Sequence, residues 1–156
     1  MDTAFSQQYE LVRGARGALL EYCATIDPAH VVAPLPEFNH SSIRDLLVHV
    51  AACYAFWLGQ ADLPRLTVPD AVPDVAALRR LFAEVDRLVE AFLRQYAGRW
   101  LVPMAVAVPR QPAPLPFSPL QLFTHVITHE FHHKGQVLSM SRQLGYVPVD
   151  TDAIRT

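Results

Sequence analysis

VAALRRLFAEVDRLVEAFLRQY, residues 75–96, sets apolar side chains at Leu78, Leu81, Phe82, Val85, Leu88, Val89, Phe92 and Tyr96. Steps of three and four follow the 3.6-residue turn of a helix, so these side chains share one face while Arg and Glu fill the other. Asp74 is a suitable N-cap directly before the run. A helix this long and this one-sided needs other apolar surfaces to cover it, and three further segments can supply them.

Before it, Phe5, Tyr9, Val12, Leu19, Cys23 and Ile26 recur at helical intervals, and Pro28 marks an end to that helix. The prolines of VVAPLPEFNHSS, residues 31–42, reject continued helix, and its serines offer an N-cap. A second helix is expected from about Ser42 to Leu58, with Ile43, Leu46, Leu47, Val50, Tyr54 and Trp57 facing inward. The linker GQADLPRLTVPDAVP, residues 59–73, holds three prolines. After residue 96, GRWLVPMAVAVPRQPAPLPF, residues 98–117, carries five prolines and reads as a long connection with room for a short extended piece. Ser118-Pro119 then gives an N-cap followed by proline at the first helical position. The last helix is expected to reach Leu144, with Gly145 as its stop.

Four long helices without convincing alternating strands predict an all-α chain, a four-helix bundle with long Pro-rich connections, in one domain over residues 1–156. The two long Pro-rich connections, residues 59–73 and 98–117, are the ones expected to cross the bundle, the first connection being shorter. Composition agrees: 51% of the 156 residues are apolar and 18% charged, the balance of a globular chain able to enclose a core. A net charge of −2 without runs of like charge gives no nucleic-acid surface. The N-terminus has no signal layout and no apolar run reaches membrane-spanning length, so a soluble, cytoplasmic protein is expected. Cys23 and Cys53 are too few and too distant for a disulfide framework and read as reduced thiols.

The chemistry concentrates in THVITHEFHHKGQ, residues 124–136, where four of the chain's 7 histidines lie. His129 and His133 are one turn apart, separated by about 40° around the helix, and two imidazoles so placed can converge on one metal ion. His125 and His132 fall within the same arc of about 100°, so spacing on this helix alone does not choose among the pairs. Leu120, Phe123, Ile127, Phe131, Leu138 and Leu144 form a broad apolar arc with the histidines along its edge, which suits a cleft between helices. His49 stands midway along the second helix among Leu46, Val50, Cys53 and Trp57. A lone histidine on an apolar face is more often a hydrogen-bonded core residue than a ligand, but bundles assemble metal sites from inward residues of facing helices.

SSIRDLLVHVAACYAFWL (residues 41–58) and HVITHEFHHKGQVLSMSRQLG (residues 125–145) together resemble the DinB-like superfamily, and the resemblance spans nearly the whole chain. It implies a metal triad of His49, His129 and His133, with His125 and His132 as neighbours and not ligands. KGQ at 134–136 stands where many members have RGQ, a conservative departure. The implied cofactor is a divalent ion, zinc or nickel, since three neutral imidazoles accept either. Members include S-transferases and an isomerase that use a low-molecular-weight thiol such as bacillithiol or mycothiol, so the implied activity is thiol-dependent transfer to small electrophilic molecules. The family also implies a homodimer.

Two other readings compete. A closed site would make the chain a non-catalytic bundle in which the ion ties two helices together. HEFHH, residues 129–133, also fits the H-E-x-x-H pattern of zinc peptidases, with Glu130 as general base, although only Asp150 and Asp152 follow as a third ligand. The plainer expectation for Glu130 is an ion pair with Lys134, one turn on. Cys53 could reach the metal, yet a free cysteine there is usually a small apolar residue.

Overall fold

The computed structural model describes residues 3–60, 63, 65–69 and 72–155. Of the linker between the second and third long helices, Ala61, Asp62, Pro64, Asp70 and Ala71 lie outside the described residues. Four long helices account for most of the chain: α1 (Thr3–Cys23), α3 (Ile43–Leu58), α4 (Val75–Gln95) and α5 (Pro119–Gln143). A one-turn helix α2 (Pro28–Val31) and a 3-10 turn at Pro36–Phe38 fill the first connection. The last connection folds into an antiparallel pair, β1 (Met104–Val106) with β2 (Leu115–Phe117), in the register Met104 opposite Phe117. The extended piece expected there is thus a small hairpin, and the fold is otherwise all-α.

The helix starts follow from local chemistry. Ser42 and Asp45 form a reciprocal capping box, Asp45 N–H donating to Ser42 Oγ at 3.1 Å and Ser42 N–H to Asp45 Oδ2 at 3.0 Å. Asp74 accepts from Ala77 N–H at 2.7 Å. Ser118 and Gln121 make a second capping box, with Pro119 occupying a position whose N–H would have no partner in the helix. At the other end of α5, Gly145 takes φ +91°, while Gly145 N–H donates to Arg142 O and Tyr146 N–H to Ser141 O, each at 3.0 Å. That Schellman arrangement consumes two orphan carbonyls and requires the left-handed backbone glycine tolerates.

The first helix stops earlier than the apolar period suggests, at Cys23 and not beside Ile26. Asp27 caps α2 instead, its carboxylate accepting from Ala29 N–H at 2.8 Å, so Pro28 begins a helix as well as ending one.

Close packing joins α1 to α4, α4 to α3, α3 to α5 and α5 to α1. The four helices therefore ring one core, with α1 opposite α3 and α4 opposite α5. The connections that cross the bundle are the first, residues 24–42, and the last, residues 96–118, whereas the middle linker joins neighbours. This corrects the expectation that the middle and last Pro-rich connections cross: the first, at 19 residues, is longer than the 16 residues between α3 and α4. The buried apolar side chains make one continuous cluster, including Tyr9, Leu47, Tyr54, Leu78, Val85, Phe92, Phe123 and Met140. Each contributes about 1.5–3 kcal/mol by leaving water. Trp100 closes one end against Phe5, Phe92 and Phe123.

Candidate metal centre

Helices α3 and α5 lie side by side and antiparallel, because His49 meets His129 and His133 while Trp57, two turns on, meets the earlier His125. Ring centroids of His49 stand 4.9 Å from His129 and 4.8 Å from His133, and those of His129 and His133 are 4.4 Å apart. One nitrogen from each of the three lies within 4.8 Å of the others. Imidazoles from two helices, some eighty positions apart in sequence, thus converge on one point. His49 is exposed and the other two half-buried, so the cluster opens to solvent at the seam between the helices.

The donor atoms suit a cation. His133 Nε2 and His129 Nε2 are 3.1 Å apart, close to the ~3.3 Å that separates two nitrogens on a tetrahedral zinc with ~2.0 Å bonds. Both cannot carry a proton there, so at least one lone pair points into the gap. Gln136 decides which: its Oε1 lies 2.6 Å from His133 Nδ1 and can only accept, so Nδ1 carries the hydrogen and Nε2 is bare. His129 Nδ1 is buried without a hydrogen-bond partner among the described residues. If that atom holds the His129 proton, two lone pairs face each other across 3.1 Å, a repulsion that a cation between them removes.

Electrostatics point the same way. Burial, and then the neighbouring imidazoles of His133 and His49, lower the His129 pKa to about 4. Burial also lowers that of His133, against the opposing hydrogen bond from Gln136. Both rings are thereby kept in the neutral form that ligation requires.

Around the cluster, His125 packs edge-on against Trp57 at 4.9 Å, and Trp57 meets Phe117 of β2 at 5.9 Å. His132 is exposed and adjoins His133 at 4.9 Å. The hairpin and Trp57 therefore flank the cluster on one side and His132 on the other. Cys53 stands outside the three-histidine cluster, and burial pushes its thiol up to about 12.

Glu130 does not pair with Lys134. Its carboxylate turns into the core, accepting from Arg16 Nε at 2.7 Å, Arg16 Nη2 at 2.9 Å and Tyr54 OH at 2.6 Å. Arg16 Nη1 also reaches Asp86 Oδ1 at 2.6 Å, and Tyr9 OH donates to the same oxygen at 2.8 Å. Burial alone would lower the Arg16 pKa, but the Glu130 carboxylate reverses this and holds it well above the ordinary value. Lys134 instead donates to the Thr151 carbonyl at 2.6 Å, and its ammonium lies over the Phe131 ring. A peptidase would need Glu130 facing the same water as the imidazoles, and this carboxylate faces Arg16 and Tyr54.

Sequence periodicity did not reveal Arg16 or Asp86, whereas Gln136 stands in the KGQ segment already singled out beside the ligands. A signal for Arg16 existed: the inward series of α1 skips from Val12 to Leu19, and position 16 lies on that face.

An all-α bundle whose facing helices gather three imidazoles is of the class that builds metal sites in and around its core. The chain belongs to the DinB family, whose family model matches residues 1–156. Comparison with curated proteins finds none that matches.

Proposed function

We propose that this DinB-family chain is a metal-dependent enzyme in which His49, His129 and His133 hold a divalent ion, zinc or nickel, for thiol transfer to small electrophilic molecules. The observation that carries it is the convergence of three imidazole nitrogens, within 4.8 Å of one another, at a solvent-open seam. Three protein donors leave at least one position of a tetrahedral ion for an exogenous ligand, which favours an enzyme over a closed structural site. A divalent ion there supplies Lewis acidity, favouring the thiolate of a low-molecular-weight thiol over its protonated form at neutral pH.

The chain's own residues do the rest. Gln136 fixes the tautomer of His133, and the ring of His125, against Trp57, offers a polar group beside an apolar wall. In this reading His125 or His132, whose rings adjoin the cluster, would take the proton lost as the thiol becomes thiolate and return it to the atom or group whose bond to the electrophilic carbon breaks as the C–S bond forms. The single continuous core supports reading the chain as one bundle domain. Among the described residues no helix is long and apolar enough to cross a membrane, in keeping with a cytoplasmic location. The homodimer implied by the family belongs to the same proposal.

Metal analysis of protein purified without an affinity tag, with His49→Ala, His129→Ala and His133→Ala beside it, tests the reading. Near-stoichiometric zinc or nickel in the wild type and its loss in each variant is expected. Full metal retention by His49→Ala would overturn the triad. Turnover assays with several small thiols then separate enzyme from scaffold.

A further inference from the structure

We infer that Arg16 and Tyr54 are positioning residues for the three-imidazole cluster, acting through Glu130 to fix the rotation of α5 about its own axis; the inference rests on the metal reading above.

The geometry makes such a device necessary. A side-chain tip lies about 6 Å from a helix axis, so a 20° roll of α5 moves its imidazoles by about 2 Å. Metal–ligand distances tolerate only about 0.2 Å. Apolar packing is non-directional and resists a small roll weakly, whereas a two-pronged guanidinium–carboxylate pair fixes direction as well as distance.

Glu130 is placed to transmit that constraint. It follows His129 directly and precedes His133 by three residues, so its bearing on the helix sets theirs. Tyr54 binds it from α3, the helix that carries His49, and so registers the two ligand-bearing helices against each other. Arg16 binds it from α1 and is itself held by Asp86 of α4 and by Tyr9. α1 and α3 thus meet on one carboxylate of α5, and α4 is tied to it through Arg16. A buried ion pair is a poor source of stability compared with apolar side chains of similar volume, so its presence in this core calls for a directional role.

The molecule contains its own control. Tyr22 OH donates to Ser141 Oγ at 2.9 Å, a second buried tyrosine bond to α5, farther along and away from Glu130. Full-length wild type, Tyr54→Phe and Tyr22→Phe are titrated with Co2+, reading the dissociation constant and the visible absorption bands, which report ligand geometry. Both variants should lose similar thermal stability. Only Tyr54→Phe should weaken Co2+ binding, by roughly 10-fold, the low end for residues that orient ligands indirectly, and shift the bands. If Tyr54→Phe does not fold, Arg16→Lys, which keeps the charge but not the two-pronged geometry, is read by the same criteria. A Tyr54→Phe affinity within about 2-fold of Tyr22→Phe, with superimposable bands, overturns this inference alone. A wild type that takes up no Co2+ overturns the metal reading with it.

Discussion

Arg16 and Glu130, 114 positions apart, meet in the interior as a two-pronged ion pair with N–O distances of 2.7 and 2.9 Å. Arg16 is only 4% exposed and Glu130 7%, so neither charge can fall back on water. Their mutual dependence is the first thing to test.

Glu130→Ala strands a buried guanidinium with Asp86 as its remaining acidic partner. Removing one side of such a pair costs about 3–5 kcal/mol, and Asp86 places the loss near the lower figure. Replacing both residues by methionine should recover most of it. Urea unfolding of Arg16→Met, Glu130→Met and the double gives the coupling, and strictly additive losses would show the two charges to be independent.

Metal binding should stabilise the fold. At a free zinc concentration 100 times the dissociation constant, the gain is about 2.7 kcal/mol, or roughly 5–10 °C in melting temperature for a chain of this size. The wild type should show this shift and His129→Ala should not. Equal shifts in both would place the ion elsewhere.

Cys53 should be a sluggish nucleophile. Its pKa, raised to about 12 by burial, lies above the ordinary thiol value, so at pH 8 the folded protein holds it protonated. The thiolate fraction is about 1,000-fold smaller than for a pKa of 9, and the greater intrinsic nucleophilicity of a more basic thiolate returns part of that. Alkylation by iodoacetamide, followed by peptide mass spectrometry, should run on the order of 10–100-fold slower than in the urea-unfolded chain. A folded-state rate equal to the unfolded one would show Cys53 to be ionised and accessible.

The core prediction contrasts two apolar residues. Phe92 is fully buried, in ring contact with Tyr96 and Trp100, whereas Leu101 is 74% exposed. Phe92→Ala should cost about 3–5 kcal/mol and Leu101→Ala less than about 0.5 kcal/mol in denaturant unfolding. Comparable losses would place Leu101 in a covered surface.

Much of this architecture can be read from the chain because its signals are local. Ser42, Asp74 and Ser118 cap the helices they precede, Gly145 ends the last one, and α4 buries the face that its period marks. The convergence of His49 with His129 and His133 was legible through family resemblance, since spacing along one helix could not choose among four histidines. The inward face of α5 was read less well. Leu120, Phe131, Leu138 and Leu144 are half-buried at its margins, while Glu130, Lys134 and Ser141 sit in the middle of the buried stripe. A pattern of apolar residues misplaces a face whose centre is polar. Likewise the partner of Glu130 was invisible: an i, i+4 neighbour is apparent in sequence, and an arginine on the opposite wall of the bundle is not.

The two capping boxes give α3 and α5 their starting points from their own residues, and the interior sets how the helices meet. Seven residues, nearly two turns, separate Ser42 from His49, and eleven, about three turns, separate Ser118 from His129, so each cap stands close to a whole number of turns below the ligand it leads to.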